Sequence, residues 1–435
     1  MTNAQIVIRD GRIVQLNQQA AGSSDYVLSD SVLMPGLINA HTHLEFSDLD
    51  RPIEAGEDFP EWISKVVRHR MQMVADLSPA EWLTRRRSAV ARGMLEAGLT
   101  GTALLVDTVT HPWTPEWLES DHLRETFRDL AEATGGVLST QHSDDLKDFR
   151  RDNNQLLPRA IPQVIALPEI LGMESGRFQQ SVTWAETVFA RAKELQDSAY
   201  LVEMGFSPHS PYTLPCSETF PCLRRFPDHA LASMHVAESR DELQWLSSAE
   251  GPFRKVFESM QFSDFSHRMS IDQAIEWLCD RRRSLLVHGN YLQPSQLDRL
   301  SKASVAIVYC PRTHQHFGHD AYPLSEIRQR QIPLLLGTDS RASSPDLNLW
   351  RECQAAHQRH PDWKVPDILD AVTKTAAAVL GVGDKLGSLE CGRLAWLNVM
   401  ACPPEASPNN LLELLMSSPN SDHPRPLCLP GFKEH

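Results

Sequence analysis

Two histidines one residue apart, His41 and His43, close the apolar run "LMPGLINAHTHLEFS". Along a strand, side chains at i and i+2 leave the same face, so both imidazoles can converge on one point. The same placing recurs down the chain. His209 lies at the end of "VEMGFSPHS", His235 and Glu238 of "LASMHVAE", His288 of "SLLVHGN" and Asp339 of "IPLLLGTD". Taken singly, each has an ordinary reading: a lone histidine such as His288 is usually a satisfied structural residue, and H-x-H is short and common. Taken together with His235 and Asp339 on separate strand ends, His41 and His43 give three imidazoles and a carboxylate that match one borderline divalent ion, zinc first and iron second, with water completing the shell. Such an ion lowers the pKa of bound water toward ~7. Glu238, three residues after His235, is near enough to move the proton.

Those groups need a scaffold that brings strand ends to one mouth. Eight apolar runs are available: "MPGLINAHTH", "GTALLVDT", "QVIALPEI", "VEMGFSPHS", "LASMHVAE", "SLLVHGN", "SVAIVYCP" and "IPLLLGTD". Helical segments separate many of them. Ser78-Pro79 supplies a capping residue and an N1 proline for one helix, and Asp367 opens another running to Gly381. The pattern reads as an α/β fold, a (β/α)8 TIM barrel. Asp10-Gly11 between "QIVI" and "RIVQL" predicts a hairpin, and "DKLGSLECGRLAWLNVM" is β-rich again. Both termini are therefore expected to build a small β-sandwich-like domain, residues 1–35 with 384–435, around a barrel of 36–383. Residues ~250 to ~270 read as an insertion between units five and six, and "LLELLM" as a short helix in the Pro-rich end. No solenoid repeat or low-complexity tract appears.

At 435 residues with 41% hydrophobic side chains, the chain can bury an extensive core. Its net charge of -14 repels phosphate backbones and anionic membrane surfaces, which favours a small-molecule partner over nucleic acid or membrane. Eight scattered cysteines without a C-x-x-C pair suit reduced thiols in a cytoplasm. The first residues lack a basic region followed by a sustained apolar stretch, and no apolar run reaches ~18 residues. A homo-oligomer stays open.

The ordered motifs "PGLINAHTHLE", "SPHSPYTL", "HVAES", "LVHGNYL" and "LGTDSRASSPDLNLW" resemble the metal-dependent amidohydrolase superfamily, in the branch holding chlorohydrolases and cyclic deaminases, over nearly the whole chain. Within it, "HTHLE", "SPHSPYTL" and "CPRTHQHFGH" are most similar to aminodeoxyfutalosine and adenosylhomocysteine deaminases. The resemblance implies one metal held by His41, His43, His235 and Asp339. It implies Glu238 as proton shuttle, His288 as the imidazole that orients the hydroxide, Asp339 as ligand and proton acceptor, and His209 as a substrate contact. No lysine stands in "MGFSPHSPYTL", which favours the mononuclear subtype. One departure, Ala395-Trp396 where relatives carry Ala-Asp, lies away from the site. The implied reaction is hydrolytic deamination of an amino-substituted heterocycle, adenosine-type nucleosides first.

Other residues keep two readings. Arg312 and Arg341 are candidates to clamp a substrate carboxylate, or are surface or loop-paired charges. Glu45 either accepts a ribose hydroxyl or forms a salt bridge. His314, His316 and His319 imitate a metal motif, but Pro311 and Arg312 set them on a loop over the mouth, where a second metal, a substrate contact and plain hydration compete. Trp62, Trp82, Trp113 and Trp117 are expected to pack in the core. Rival functions are displacement of chloride, hydrolysis of a cyclic amide, and a non-enzymatic barrel scaffold, which would be expected to have lost ligands. The absence of C-x-x-C excludes zinc nucleobase deaminases of the H-x-E plus P-C-x-x-C type.

Overall fold

Apolar runs flanked by capped helices dictate the architecture seen in a computed structural model, which describes residues 4–17, 25–133, 161–195, 198–260, 262, 269–417 and 423–427. Asp10 and Gly11 take positive φ, as a two-residue primed turn demands, and join β1 (Gln5–Arg9) to β2 (Arg12–Asn17). Next come β3 (Ser31–Pro35) and β4 (Leu37–Thr42), followed by helices α1 (Phe59–Asp76) and α2 (Pro79–Leu99). Ser78 caps α2 in a reciprocal capping box with Glu81.

Barrel strands β4, β5 (Thr102–Val109), β6 (Gln163–Ile170) and β7 (Leu201–Met204) pair in parallel. A second parallel set contains β9 (Ala232–Val236), β10 (Ser284–His288), β11 (Val305–Tyr309) and β12 (Leu334–Leu336). Two single bridges close the ring, Phe206 to Ala232 and Thr42 to Asp339. All eight expected strands are present, and most of their residues are buried on both faces, which is why they read as continuous apolar runs rather than alternating ones.

Strand four departs from the single run expected. It breaks at Gly205 into β7 and the two-residue β8 (Ser207–Pro208). A Cβ on Gly205 would strike the Leu231 carbonyl and the Leu167 side chain, so only glycine lets strand four approach its neighbour here. The helix expected from Asp367 to Gly381 begins earlier and is interrupted. Val365–Ala371 starts with Pro366 in its first turn, and Lys374–Val379 follows. Within the expected insertion, Pro252–Ser259 forms a helix whose Phe253 and Phe257 pack with Trp245, Tyr212 and Phe59; residues 261 and 263–268 of that stretch lie outside the described residues.

The two ends of the chain meet beside the barrel. β3 pairs antiparallel with β13 (Leu397–Ala401), which also pairs with β14 (Arg425–Pro426). The hairpin joins this assembly through a bridge from Arg12 to Leu394. "LLELLM" lies in the short helix Leu411–Ser417. Among the described residues, no helix is long and apolar enough to cross a membrane.

Because the obstacle at Gly205 includes rigid backbone, Gly205→Ala is expected to cost about 1–3 kcal/mol. A lowered denaturation midpoint would register this; an unchanged one would contradict the tight passage of strands four and five.

Candidate metal centre

The strand ends deliver their polar groups to one buried point. His235 Nε2 lies 3.2 Å from His41 Nε2 and 3.3 Å from His43 Nε2. Asp339 Oδ1 lies 3.5 Å from His41 Nε2 and 3.8 Å from His43 Nε2. A tetrahedral zinc site with bonds of ~2.0–2.1 Å has ligand–ligand edges of about 3.3–3.4 Å. The observed spacings bracket that value.

Protonation agrees with this geometry. Burial, reinforced by repulsion from His41, holds His43 and His235 well below the usual imidazole range, so both are neutral near pH 7. His235 Nδ1 donates to the carbonyl of His209 at 2.9 Å, which leaves Nε2 as a lone pair aimed at the cluster. Burial opposes ionisation of Asp339, but its hydrogen bond with His41 and the surrounding imidazoles outweigh that and keep its carboxyl well below the usual carboxylate range. Lone pairs and a negative charge crowded this closely call for a cation, and the donor set fits a borderline divalent ion.

Supporting bonds fix the candidate ligands. Asn39 accepts from the backbone N–H of Thr338 at 3.2 Å and donates to its hydroxyl at 2.8 Å, tying the first strand to the last. The Asp339 N–H donates to the His41 carbonyl at 3.1 Å, and Ser343 Oγ donates to Asp339 Oδ2 at 2.8 Å. Asp107, at the end of β5, accepts from the Leu44 N–H at 2.9 Å and the Thr42 hydroxyl at 3.0 Å, clamping the turn that carries both first-strand histidines.

Glu238 and His288 sit beside the cluster, His288 Nε2 3.5 Å from Glu238 Oε1. Burial, then the charges of Asp339 and Glu242, raise Glu238 well above the usual carboxylate range. The Glu238 N–H donates to Glu242 at 2.7 Å, and its carbonyl accepts from Asn290 at 2.8 Å. His288 is buried and held neutral. Ala237, His288 and Asp339 all take left-handed φ, of 54°, 69° and 57°. Non-glycine residues there are strained, and such strain gathers at functional sites.

His209 Nε2 faces Glu169 at 4.0 Å, while its Nδ1 bonds Thr213 and Ser210. Glu169, His209 and His235 form a second metal-capable grouping. It shares His235 with the first, and one Nε2 lone pair cannot serve two ions.

Two expectations fail. Arg312 binds Glu352 at 2.6 Å and Asp346 at 2.8 Å, and Arg341 binds both oxygens of Glu96 at 2.8 and 2.9 Å. Both guanidinium groups are committed to structural ion pairs rather than to the mouth. The "THQH" stretch is also no loop: Pro311 starts a short helix, Pro311–His316, with His314 buried and His316 bonded to the Ile53 carbonyl at 2.9 Å. His314, His316 and His319 belong to no metal-capable grouping among the described residues. Glu45 takes its salt-bridge reading, paired with Arg70 and Arg86 and accepting from Thr110 at 2.9 Å. Trp113 and Trp117 are buried in the core, whereas Trp82 lines a cavity with Glu45, Arg70 and Glu169. Asp107 and Glu169 were detectable by the signal that picked out His288, a polar group closing an apolar run.

The sequence matches the Amidohydrolase family over residues 32–420. It is 22% identical to aminodeoxyfutalosine deaminase of Nitratiruptor over 379 residues, 86% of this chain and 80% of that protein. With 5-methylthioadenosine/S-adenosylhomocysteine deaminase of Pyrococcus abyssi it shares 23% over 92% of this chain and 81% of that protein. Aminofutalosine deaminase of Helicobacter pylori, solved with methylthio-coformycin, has a similar fold, with TM-score 0.72 and 18% identity over 98% of this chain and 93% of that one. A zinc-complexed atrazine chlorohydrolase of Arthrobacter aurescens matches with TM-score 0.66 and 18% identity over 97% of this chain and 88% of that one.

Burial raises Asp107 to about 8. Between ~4 and 8 the native state then holds a proton that the unfolded chain has released, so this group erodes stability as pH rises through that window. Asp107→Asn keeps the acceptor without that titration. Its stability relative to the unaltered protein is expected to improve from pH 4 to 8, with zinc retained, while Asp107→Leu should weaken zinc binding ~10–100-fold. Denaturation midpoints across pH and zinc titrations measure both.

Proposed function

We propose that this chain, which belongs to the amidohydrolase family, is a zinc-dependent hydrolase that removes an amino group from a heterocyclic ring as ammonia. The observation that carries this reading is the meeting of three imidazole nitrogens and the Asp339 carboxylate beside the buried Glu238, whose carboxyl burial holds above its ordinary range. His41, His43, His235 and Asp339 would hold the ion. When bound, it would supply Lewis acidity and water acidified toward pKa ~7.

The remaining steps fall to the chain's own groups. Glu238, neutral before reaction, gives its proton to the ring nitrogen next to the amino-bearing carbon, which makes that carbon electrophilic. As water adds there, Glu238 and Asp339 take up and return the protons that convert the amino group into departing ammonia. His288, neutral and 3.5 Å from Glu238, orients the attacking oxygen and holds the charge that develops on it. His209, whose neighbours Thr213 and Ser210 fix its Nδ1, presents Nε2 to the substrate ring. Glu238 neutral and Asp339 ionised within one small volume is a division of acid and base roles by environment.

Adenosine-type nucleosides are the favoured substrates, a choice supported by relatives named for deaminating aminodeoxyfutalosine, methylthioadenosine and adenosylhomocysteine. A panel of these compounds with guanine, pterin and triazine rings, scored for ammonia, chloride and amine, separates deamination from dechlorination and amide hydrolysis. Glu238→Gln is expected to keep one equivalent of zinc and lose ~10²–10⁴ in kcat. Undiminished turnover would remove Glu238 from the mechanism.

A further inference from the structure

Beyond His235 the chain turns sharply at Ala237, a buried residue with left-handed φ, before it reaches Glu238. Each backbone polar group of a buried turn needs a partner from the protein itself. The carbonyls find theirs on the loop that follows His288. Val236 accepts from the Gly289 N–H at 3.0 Å, Ala237 from the Tyr291 N–H at 3.2 Å and Glu238 from the Asn290 side-chain amide at 2.8 Å. The N–H groups go to a second acid. Glu242 Oε1 accepts from the Ala237 N–H at 3.2 Å, and Glu242 Oε2 accepts from the Glu238 N–H at 2.7 Å.

Glu242 is itself fully buried, in the first turn of the helix Arg240–Ser248, where its own N–H donates to the capping Ser239 hydroxyl at 3.1 Å. A glutamate at this place in a helix ordinarily returns its side chain to the backbone of the capping residue. Here it also reaches past the cap, to the N–H groups of the turn that carries Glu238. Within the cluster the Glu238 carboxyl lies 3.5 Å from His288 Nε2, beyond the ordinary range of a hydrogen bond that could fix it. Its aim is therefore set by the backbone beneath it.

We propose that Glu242 is a positioning residue that acts on the reaction through Glu238, by clamping the Ala237 and Glu238 N–H groups with both oxygens of one carboxylate. Two acceptors are required. Glutamine offers a single oxygen and would turn its NH2 donor on one of those N–H groups, so it keeps the shape and loses half of the clamp. A displacement of ~1 Å at a reacting group can cost ~10²-fold in rate. The assignment rests on the deaminase reading, in which Glu238 carries the proton.

The test uses the zinc-loaded full chain and the ring compound that it deaminates fastest. Glu242→Gln is expected to lose ~10-fold or more in kcat, with KM and zinc content unchanged. Amide hydrogen exchange at Ala237 and Glu238 should quicken ~10-fold or more. Because Glu242 acts through Glu238, the Glu238→Gln/Glu242→Gln double variant should be no slower than Glu238→Gln alone. Glu242→Asp, which keeps the charge but shortens the reach, should lose ~3-fold or more in kcat, and it decides alone if Glu242→Gln fails to fold. Full-speed Glu242→Gln, unchanged exchange, or losses that multiply in the double variant overturn the assignment, since a simple helix cap lowers the denaturation midpoint and leaves kcat alone. Undiminished turnover in Glu238→Gln, or no ammonia from any ring, removes the deaminase reading and this assignment with it. A slowed Glu238→Gln beside a full-speed Glu242→Gln removes the assignment alone.

Discussion

The whole site depends on one seam. Thr42 and Asp339 meet in a parallel bridge between the first and last barrel strands, and Asn39 with Thr338 ties the same two strands just below. Without that closure, His41 and His43 would have no carboxylate opposite them. The constraint is strict because side chains alternate along a strand, so a slip of one residue would turn the histidines from the mouth into the packed wall. Asp107 guards against such a slip by holding Thr42 and Leu44 from the neighbouring strand.

Around the seam, burial sets the protonation of each group. Desolvation holds His43, His235 and His288 neutral and pushes Glu238 above the usual carboxylate range, while Asp339 stays below it because imidazoles surround it. The neutral imidazoles of His43, His235 and His288 and the raised Glu238 carboxyl follow from one property, the exclusion of water from the strand ends. The backbone bears part of the cost in the left-handed conformations of Ala237, His288 and Asp339.

Much of this was legible in the sequence. The eight strands were, because a strand buried on both faces is a continuous apolar run, and such runs stand out in "SLLVHGN" and "SVAIVYCP". Polar residues closing those runs marked the cluster itself. The same rule, applied to "GTALLVDT" and "QVIALPEI", would have marked Asp107 and Glu169, which were overlooked. Arg312 and Arg341 misled because a guanidinium reads identically whether it faces a ligand or a buried acid, and Glu352 and Glu96 are remote in sequence from the arginines they bind. Arg70 was invisible for the converse reason. It lies inside α1, far from any strand end, and only the packing of that helix brings it to Glu45.

The antiparallel pairing of β3 with β13 carries a consequence for how the molecule is made. Segments from opposite ends must find each other, and roughly 300 residues also separate the H-x-H turn from Asp339. At about 5–20 residues per second, some tens of seconds of synthesis pass between them on the ribosome. During that interval the growing barrel has an open edge, and the H-x-H turn lacks the carboxylate that will face it. The first and last barrel strands, and with them the two histidines and Asp339, can therefore meet only after nearly the whole barrel has been made.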